Sequence, residues 1–362
     1  MRIDEAARER LGRVRKVVRL PAAAVPVPVP SDSNDVWRVG PVVVRVCWRG
    51  DRERFAREAA VTRALPAGVP YPEVLDAGSE GDLAWQVTRF VDGVPLSTLW
   101  RGLSGAEQRD AMNQIGQALA ALHAHRFPAD VVAALAAPRP VGEMSASALV
   151  GADITPLPVR RAHALLAAAR QQGLADRALL DEAAARFDEL ADADPPAGAV
   201  TCVHGDAHLG NALWKDGRLT ALLDFEWVRL GPADLEIEPY LREDVTGLTP
   251  SEVGAAIGWL AESYPAMFAG PDLVRRLWLY QLANAVRELF LDGAGPSADG
   301  GPQRRLRRVV TSPDDLLRIL PTHHQPVSRR SPGPPARNGR SHTAGPGGSA
   351  GPRSAPASTP PG

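Results

Sequence analysis

The stretch that decides the fold is residues 199–226, AVTCVHGDAHLGNALWKDGRLTALLDFE. Residues 200–203 form a short apolar run, which is typical of a buried strand that ends at His204. Two more apolar runs, 212–214 and 219–223, flank a glycine-containing turn and predict a β-hairpin. Polar residues therefore follow the ends of neighbouring strands, which is where a fold can bring them together.

Three of these polar residues have a spacing that indicates a specific chemistry. Four residues separate Asp206 from Asn211, and Asp224 follows the second strand of the hairpin. In the protein-kinase loop H-R-D-x-x-x-x-N, the Asp accepts a hydroxyl proton and the Asn binds magnesium, while an acid on the next hairpin holds the same metal. Amide and carboxylate oxygens suit Mg²⁺. The spacing predicts Asp206 as the catalytic base, with Asn211 and Asp224 as metal ligands.

The chain resembles the aminoglycoside phosphotransferase and choline kinase family of small-molecule kinases. The resemblance rests on His-Gly-Asp-x-x-x-x-Asn at 204–211 and Asp-x-Glu at 224–226, and it extends over about residues 28–295. It implies an α+β, bilobal, protein-kinase-like fold: an N-terminal antiparallel β-sheet lobe with one helix, and a mainly α-helical C-terminal lobe that carries the catalytic β-hairpins. It also implies ATP or GTP as cosubstrate, Mg²⁺, and a small-molecule hydroxyl as phosphoryl acceptor, for example on an aminoglycoside or another amino-bearing alcohol.

The resemblance and the composition divide the chain into four parts. Residues 1–27 are an N-terminal extension, 28–92 the nucleotide-binding small lobe, and 93–320 the catalytic and substrate-binding large lobe. Pro, Gly, Ser and Arg dominate residues 321–362. Such a tail has too few apolar side chains to offset the entropy of ordering, so we expect it to be disordered.

An arginine and a glutamate are predicted to pair in the small lobe. Arg45 is the only cation in the middle of the apolar strand 42–47, and the resemblance implies that it takes the place of the kinase lysine that holds the nucleotide phosphates. Arginine is permanently charged and can bind phosphate with two nitrogens. Glu58 lies on the apolar stripe of a helix predicted over 51–65, and a buried acid needs a cationic partner. An outward-facing strand arginine is the alternative.

The turn before the second small-lobe strand contains Ser33 and Asn34. The glycine pattern that covers the phosphates in protein kinases is missing from this chain. The resemblance implies that Ser33 and Asn34 fill that place, as a Ser-Asn turn does in family members. An ordinary hairpin turn is the other reading.

The remaining predicted site residues are a histidine and a set of acids. The resemblance implies that His204 and Asp234 brace the catalytic loop. Glu226, Glu236 and Glu238 belong to a locally acidic segment that would suit a cationic acceptor, such as an amino sugar or amino alcohol. Structural acids and a solvated helix face are the alternative interpretation.

Charge and hydropathy restrict the class of protein. The net charge is −1, so no overall field favours nucleic acid. No run reaches the roughly 18 apolar residues of a membrane helix, and the N-terminus lacks a secretory signal pattern. The two cysteines lie in apolar runs and predict buried, reduced thiols. We expect a cytoplasmic protein without a nucleic-acid or membrane partner, and its oligomeric state is not predicted.

Two other functions use the same residues. A pseudokinase, a module that binds nucleotide without turnover, is favoured by the missing glycine loop and by Arg45 in the place of lysine. A metal-dependent hydrolase would use His204, Asp206 and His208, which form His-x-Asp-x-His. The hydrolase leaves Asn211 and Asp224 unexplained, and the intact set of Asp206, Asn211 and Asp224 argues against the pseudokinase.

Overall fold

The structure is a computed structural model. It describes residues 5–20, 23–31, 34–48, 52–136, 159–193, 200–242, 246–290, 301–311 and 320. Ser33 and the tail 321–362 lie outside the described residues.

The small lobe is built on a five-stranded antiparallel sheet with the order β1-β2-β3-β5-β4. Its strands are β1 (Pro26–Val29), β2 (Asp35–Val39), β3 (Val42–Cys47), β4 (Val74–Glu80) and β5 (Leu83–Arg89). β3 shows the alternation that a two-faced sheet imposes, because Val44 and Val46 are fully buried on one face while Arg45 points to the other. β1, which contains two prolines, lies at the edge, where a strand loses least by lacking N–H donors.

A helix covers each face of this sheet. The helices of the described residues are α1 (Glu5–Val17), α2 (Glu53–Arg63), α3 (Leu96–Leu99), α4 (Gly105–Ala124), α5 (Ala129–Ala136), α6 (Val159–Gln172), α7 (Arg177–Leu190), α8 (Pro250–Ser263), α9 (Leu273–Glu288) and α10 (Gly301–Thr311). Leu11 and Val14 of α1 pack on the Val44 face. Phe55 of α2 packs on Cys47 from the other side, which places α2 over Arg45. Residues of the predicted extension thus contribute to the small-lobe core.

The large lobe combines a helical core with two short sheets. Its strands are β6 (Val94–Pro95), β7 (Thr201–Val203), β8 (Ala212–Lys215), β9 (Arg218–Leu222) and β10 (Arg229–Gly231). They pair as β6-β8-β9 and as β10-β7. The predicted hairpin is confirmed as β8 and β9. α4 packs on α8. The apolar spacing within residues 106–125 predicts an amphipathic helix, and its core face is confirmed, since all of its members are buried: Ala111, Met112, Ile115, Ala118, Leu119 and Leu122.

Some elements differ from the sequence prediction. The residue pattern of 71–77 predicts a strand, but β4 begins at Val74, and the Tyr71 hydroxyl donates to Glu58 Oε1 at 2.8 Å. The apolar spacing within residues 274–289 predicts a helix with one buried face, yet α9 is buried almost all round between α7, α10 and the segment Ala233–Leu241, which forms a 3-10 helix. α10 was not predicted.

None of the helices in the described ranges is long and apolar enough to cross a membrane. Both cysteines, Cys47 and Cys202, are buried and free, as predicted.

Candidate active site

His204 ties the end of β7 to the end of β9. Its side chain is fully buried, and its Nδ1 accepts a hydrogen bond from Asp206 N at 3.2 Å. The other ring nitrogen, Nε2, therefore carries the proton and donates to Leu223 O at 2.9 Å. Burial lowers the pKa of His204, so the imidazole is neutral and acts as a brace between the two connections.

Glu236 holds the first residues of the same loop. One carboxylate oxygen accepts from His204 N at 2.5 Å, and the other accepts from Gly205 N at 3.1 Å. His123 Nε2 lies 3.3 Å from Oε1. The loop brace is thus Glu236, two residues beyond the predicted Asp234. Asp234 lies in the same 3-10 helix and binds elsewhere.

The structure corrects the interpretation of three acids of the 3-10 helix. Asp234 accepts from Arg276 Nε at 2.6 Å and from a tyrosine of the same helix, α9, so it anchors α9 instead of the catalytic loop. Glu238 accepts from Gln281 Nε2 at 2.7 Å. Glu236 is fully buried and Glu238 nearly so, and their oxygens bind protein groups, which corrects the interpretation that they contact a substrate. Sequence spacing could not distinguish these acids, because all belong to one short acidic run.

Asp206 and Asn211 face each other across the loop that follows β7. Asn211 Nδ2 donates to the backbone O of Asp206 at 2.9 Å and to its carboxylate Oδ2 at 3.2 Å. These bonds direct the amide nitrogen toward Asp206 and leave the amide oxygen as an acceptor. Burial raises the pKa of Asp206, but His208, Arg242 and His204 together outweigh it and hold that pKa below its ordinary value.

Asp224 is placed beside this loop by the backbone of its predecessor. Leu223 N donates to Asn211 O at 2.7 Å, and Leu223 O accepts from His204. Asp224 itself has φ 66° and ψ 55°, the left-handed region that residues other than glycine rarely adopt. Such strain persists where the surroundings impose it, often at functional sites. The sequence did not predict this left-handed conformation, because an aspartate gives no indication of its backbone angles.

Arg45 reaches this site from the small lobe. The predicted pair is present: Arg45 Nη1 donates to Glu58 Oε1 at 2.6 Å. The other nitrogen, Nη2, donates to Asp224 Oδ1 at 2.5 Å and lies 3.3 Å from Glu226 Oε2. Burial raises the pKa of Asp224, Arg45 lowers it, and Glu226 raises it further, with a resulting pKa of about 7. The Arg45 guanidinium thus contacts three carboxylates.

Glu226 joins the second small-lobe strand to the site. Its Oε2 accepts from Asn34 Nδ2 at 3.0 Å and lies 3.4 Å from Arg54 Nε. The side chain is 2% exposed. The substrate role predicted for Glu226 is corrected to a contact between lobes, because its carboxylate is surrounded by small-lobe donors.

Comparison with known proteins adds the family to this geometry. A model of the phosphotransferase enzyme family, APH, matches residues 19–267. The chain belongs to this family. It is a phosphotransferase of kinase type, as the resemblance predicted. No curated protein sequence matches the chain.

Solved structures with the same fold are aminoglycoside phosphotransferases. APH(4)-Ia is 20% identical, covering 85% of this chain and 99% of that chain, with a TM-score of 0.56. The streptomycin–ATP complex of APH(2'')-IIa is 14% identical, covering 81% and 92%, with a TM-score of 0.55. ADP-bound APH(2'')-Ib is 13% identical, covering 87% and 99%, with a TM-score of 0.56. At these identities the likeness shows the fold alone: the predicted bilobal, kinase-like α+β architecture is confirmed.

The site of this phosphotransferase has the donor set that suits magnesium. Asp206 and Asp224 offer carboxylate oxygens, and Asn211 offers an amide oxygen, which are the ligands that Mg²⁺ prefers. Among the described residues, the four acids at this site, Glu58, Asp206, Asp224 and Glu226, exceed the two arginines, Arg45 and Arg54, and this surplus of negative charge is what a divalent cation would neutralise.

The hydrolase alternative does not match the geometry. Both ring nitrogens of His204 are engaged by protein groups, so neither can ligate a metal. Among the described residues, no group of three His, Cys, Asp or Glu is arranged to hold a metal ion.

Proposed function

We propose that this phosphotransferase moves the γ-phosphoryl group of ATP or GTP to a hydroxyl of a small molecule, with Mg²⁺ bound at Asn211 and Asp224. The observation that carries the proposal is the pair of backbone bonds at Leu223, to Asn211 and His204, which sets Asp224 beside the loop of Asp206. These bonds support a common site for the carboxylates of Asp206 and Asp224 and the amide of Asn211, as the transfer of a phosphoryl group between two oxygens requires.

Asp206 acts as the base in this proposal. Its Oδ2 is held by Asn211, so the carboxylate has one orientation in which to meet an acceptor hydroxyl. The hydroxyl donates its proton to Asp206 late in the transfer, when the new bond to phosphorus has largely formed. The lowered pKa of Asp206 keeps it ionised at neutral pH, which is the state that accepts the proton.

Asn211 and Asp224 would hold the metal, and Arg45 the remaining phosphates. Magnesium supplies charge neutralisation on the phosphate oxygens when it is bound. Glu58 binds Nη1 of Arg45 and so fixes the guanidinium. The other nitrogen, Nη2, can then exchange its present partner Asp224 for a phosphate oxygen. Asn34 lies in the segment expected to cover the phosphates and is held by Glu226.

An amino-bearing alcohol is the acceptor class that we propose. It is supported by the ligands of the structural neighbours, whose complexes contain hygromycin B and streptomycin. It is not supported by Glu226, Glu236 and Glu238, which bind protein groups. The proposal therefore depends on a screen of acceptors, in which ATP and GTP consumption is measured with amino sugars, choline-like alcohols, neutral sugars and hydroxy amino acids.

The test of the chemistry uses the acceptor found in that screen. Asp206→Asn should abolish turnover while nucleotide still binds, because the amide cannot accept the proton. Asp224→Ala should weaken binding of the magnesium nucleotide as well. Full turnover by Asp206→Asn would contradict the assignment. Nucleotide binding by the wild type, with no consumption for any acceptor class, would favour the pseudokinase.

A further inference from the structure

A second histidine lies in the catalytic loop, and the mechanism above gives it no part. His208 precedes the 3-10 turn Leu209–Asn211, and its Nδ1 accepts a hydrogen bond from Gly210 N at 3.0 Å. Because Nδ1 is the acceptor, the neutral ring carries its proton on Nε2. The turn thus decides which nitrogen of His208 is a donor.

That nitrogen lies beside the base, at a distance slightly longer than a hydrogen bond. His208 Nε2 lies 3.6 Å from Asp206 Oδ2 and 3.3 Å from Asn211 Nδ2. Asn211 Nδ2 also donates to Oδ2, so two N–H donors approach the same carboxylate oxygen. Among the described residues, no donor forms a hydrogen bond with Oδ1 of Asp206. The arrangement holds one oxygen of Asp206 and presents the other.

The loop has a place built for the imidazole ring. A Cβ added at Gly210 would lie 2.7 Å from His208 Cε1 and 3.0 Å from Nδ1, closer than packed atoms allow. The ring therefore lies directly on the backbone of Gly210, and glycine is needed there for contact, not for its backbone angles. The His208 side chain is only 15% exposed, so its orientation is set by these neighbours.

We propose that His208 is a positioning residue that orients the carboxylate of Asp206 for the acceptor hydroxyl. The inference rests on the proposed function, since it assumes that Asp206 is the base. The two interactions of the ring have different consequences. The Nδ1 contact stabilises the turn, whereas the Nε2 contact fixes the base and so affects kcat without affecting nucleotide affinity.

Two substitutions separate these contacts. The oxygen of asparagine can replace Nδ1, so His208→Asn keeps the bond from Gly210 N and loses the donor to Asp206. The amide nitrogen of glutamine reaches the position of Nε2, so His208→Gln keeps the donor and loses the bond at the turn. We expect kcat to fall about tenfold in His208→Asn, with KM for nucleotide and the Tm unchanged. We expect His208→Gln to recover most of kcat while its Tm falls.

The opposite pattern would overturn the inference. If His208 only stabilises the turn, His208→Asn keeps the wild-type kcat and His208→Gln loses both kcat and Tm. His163→Asn is the matched control, since His163 lies on α6 with 40% of its side chain exposed and pairs with Asp188. His163→Asn should change neither kcat nor Tm.

Asp206→Asn, measured beside these variants, distinguishes the two proposals. If Asp206→Asn is inactive and His208→Asn is fully active, only the positioning role is wrong. If Asp206→Asn keeps its turnover, the proposed function is wrong, and the positioning role with it.

Discussion

Glu236 shows how much a single residue can decide in this loop. Its two oxygens accept the N–H groups of His204 and Gly205, which would otherwise be buried without partners at the end of β7. An unmade backbone bond of this kind costs about 1–3 kcal/mol. The residue that sets the catalytic loop is therefore a glutamate for which the local excess of acids predicted a contact with a cationic substrate.

The stability conferred by Glu236 should depend on pH. Burial raises its pKa, but the hydrogen bond and charge of His123, the charge of His204 and the Gly205 N–H together lower that pKa below its ordinary value. A carboxyl with a lowered pKa contributes stability that is complete above the pKa of the unfolded chain, about 4.3, and is lost as the pH falls through the lower folded value. Glu236→Gln places an amide N–H against a backbone N–H and should cost about 2 kcal/mol at pH 7.

Urea unfolding at pH 7 and at successively lower pH measures this effect. The difference in free energy of unfolding between wild type and Glu236→Gln should shrink below about pH 4.3. Glu262→Gln, at an exposed pair with Arg109, should change stability little at any pH. A difference that is constant with pH would show that the charge of Glu236 is not what stabilises the loop.

At the scale of elements, the connection after β7 requires a glycine at one position. Gly205 has φ +84°, and a Cβ there would lie 2.1 Å from Arg229 Nη1 and 2.8 Å from Trp227 O. Gly205→Ala combines an unfavourable backbone angle with a collision against the backbone of the neighbouring strand connection. We expect it to lose activity and more than 2 kcal/mol of stability, measured by turnover and by urea unfolding.

The hairpin between β8 and β9 offers the matched control. Gly217 has φ +76°, but nothing lies within 4 Å of a Cβ added there. Gly217→Ala carries only the backbone cost, about 1–2 kcal/mol, and should keep its turnover. Equal losses of stability in the two variants would show that the contact with Arg229 and Trp227 is unimportant.

The elements that sequence patterns predicted are those whose signal is local. The hairpin β8–β9 and the core face of α4 follow from apolar periodicity and from turn residues within one segment. α9 failed the one-face prediction, because neighbours that are distant in sequence bury the side that holds Arg276 and Tyr280. Asp234 was assigned to the wrong partner for the same reason. The residues that donate to its carboxylate lie on α9, and no spacing within residues 226–238 indicates that contact.

At the scale of the whole molecule, an ion pair and a hydrogen bond between distant residues join the two lobes. Arg45 of the sheet binds Asp224, and Glu226 binds Asn34, 192 residues away. The sequence predicted the pair of Arg45 and Glu58 within one lobe, because a buried acid on an apolar stripe demands a cation. The contacts across the cleft were not predicted, since they depend on how the lobes meet.

Glu226 contacts the small-lobe residues Asn34, Arg45 and Arg54, and its charge should stabilise the whole protein. Glu226→Gln removes the carboxylate that pairs with Arg54 at 3.4 Å, where the side chains are only 2% and 13% exposed, and breaking a buried pair by removing one partner typically costs about 3–5 kcal/mol. Arg45 retains Glu58 and Asp224 when Glu226 is neutralised, so we expect Glu226→Gln to lose about 3 kcal/mol, the lower end of that range. Glu73→Gln is the control, because it removes the same charge from an exposed ion pair. Glu73 and its partner Arg89 have side chains that are 61% and 58% exposed, and such pairs are worth about 1 kcal/mol or less. Urea unfolding of both variants at low and high salt measures the contrast, because salt screens the exposed pair and affects the buried one far less. Equal losses in the two variants would mean that the lobes are held together by apolar contacts, and that the charges across the cleft add nothing.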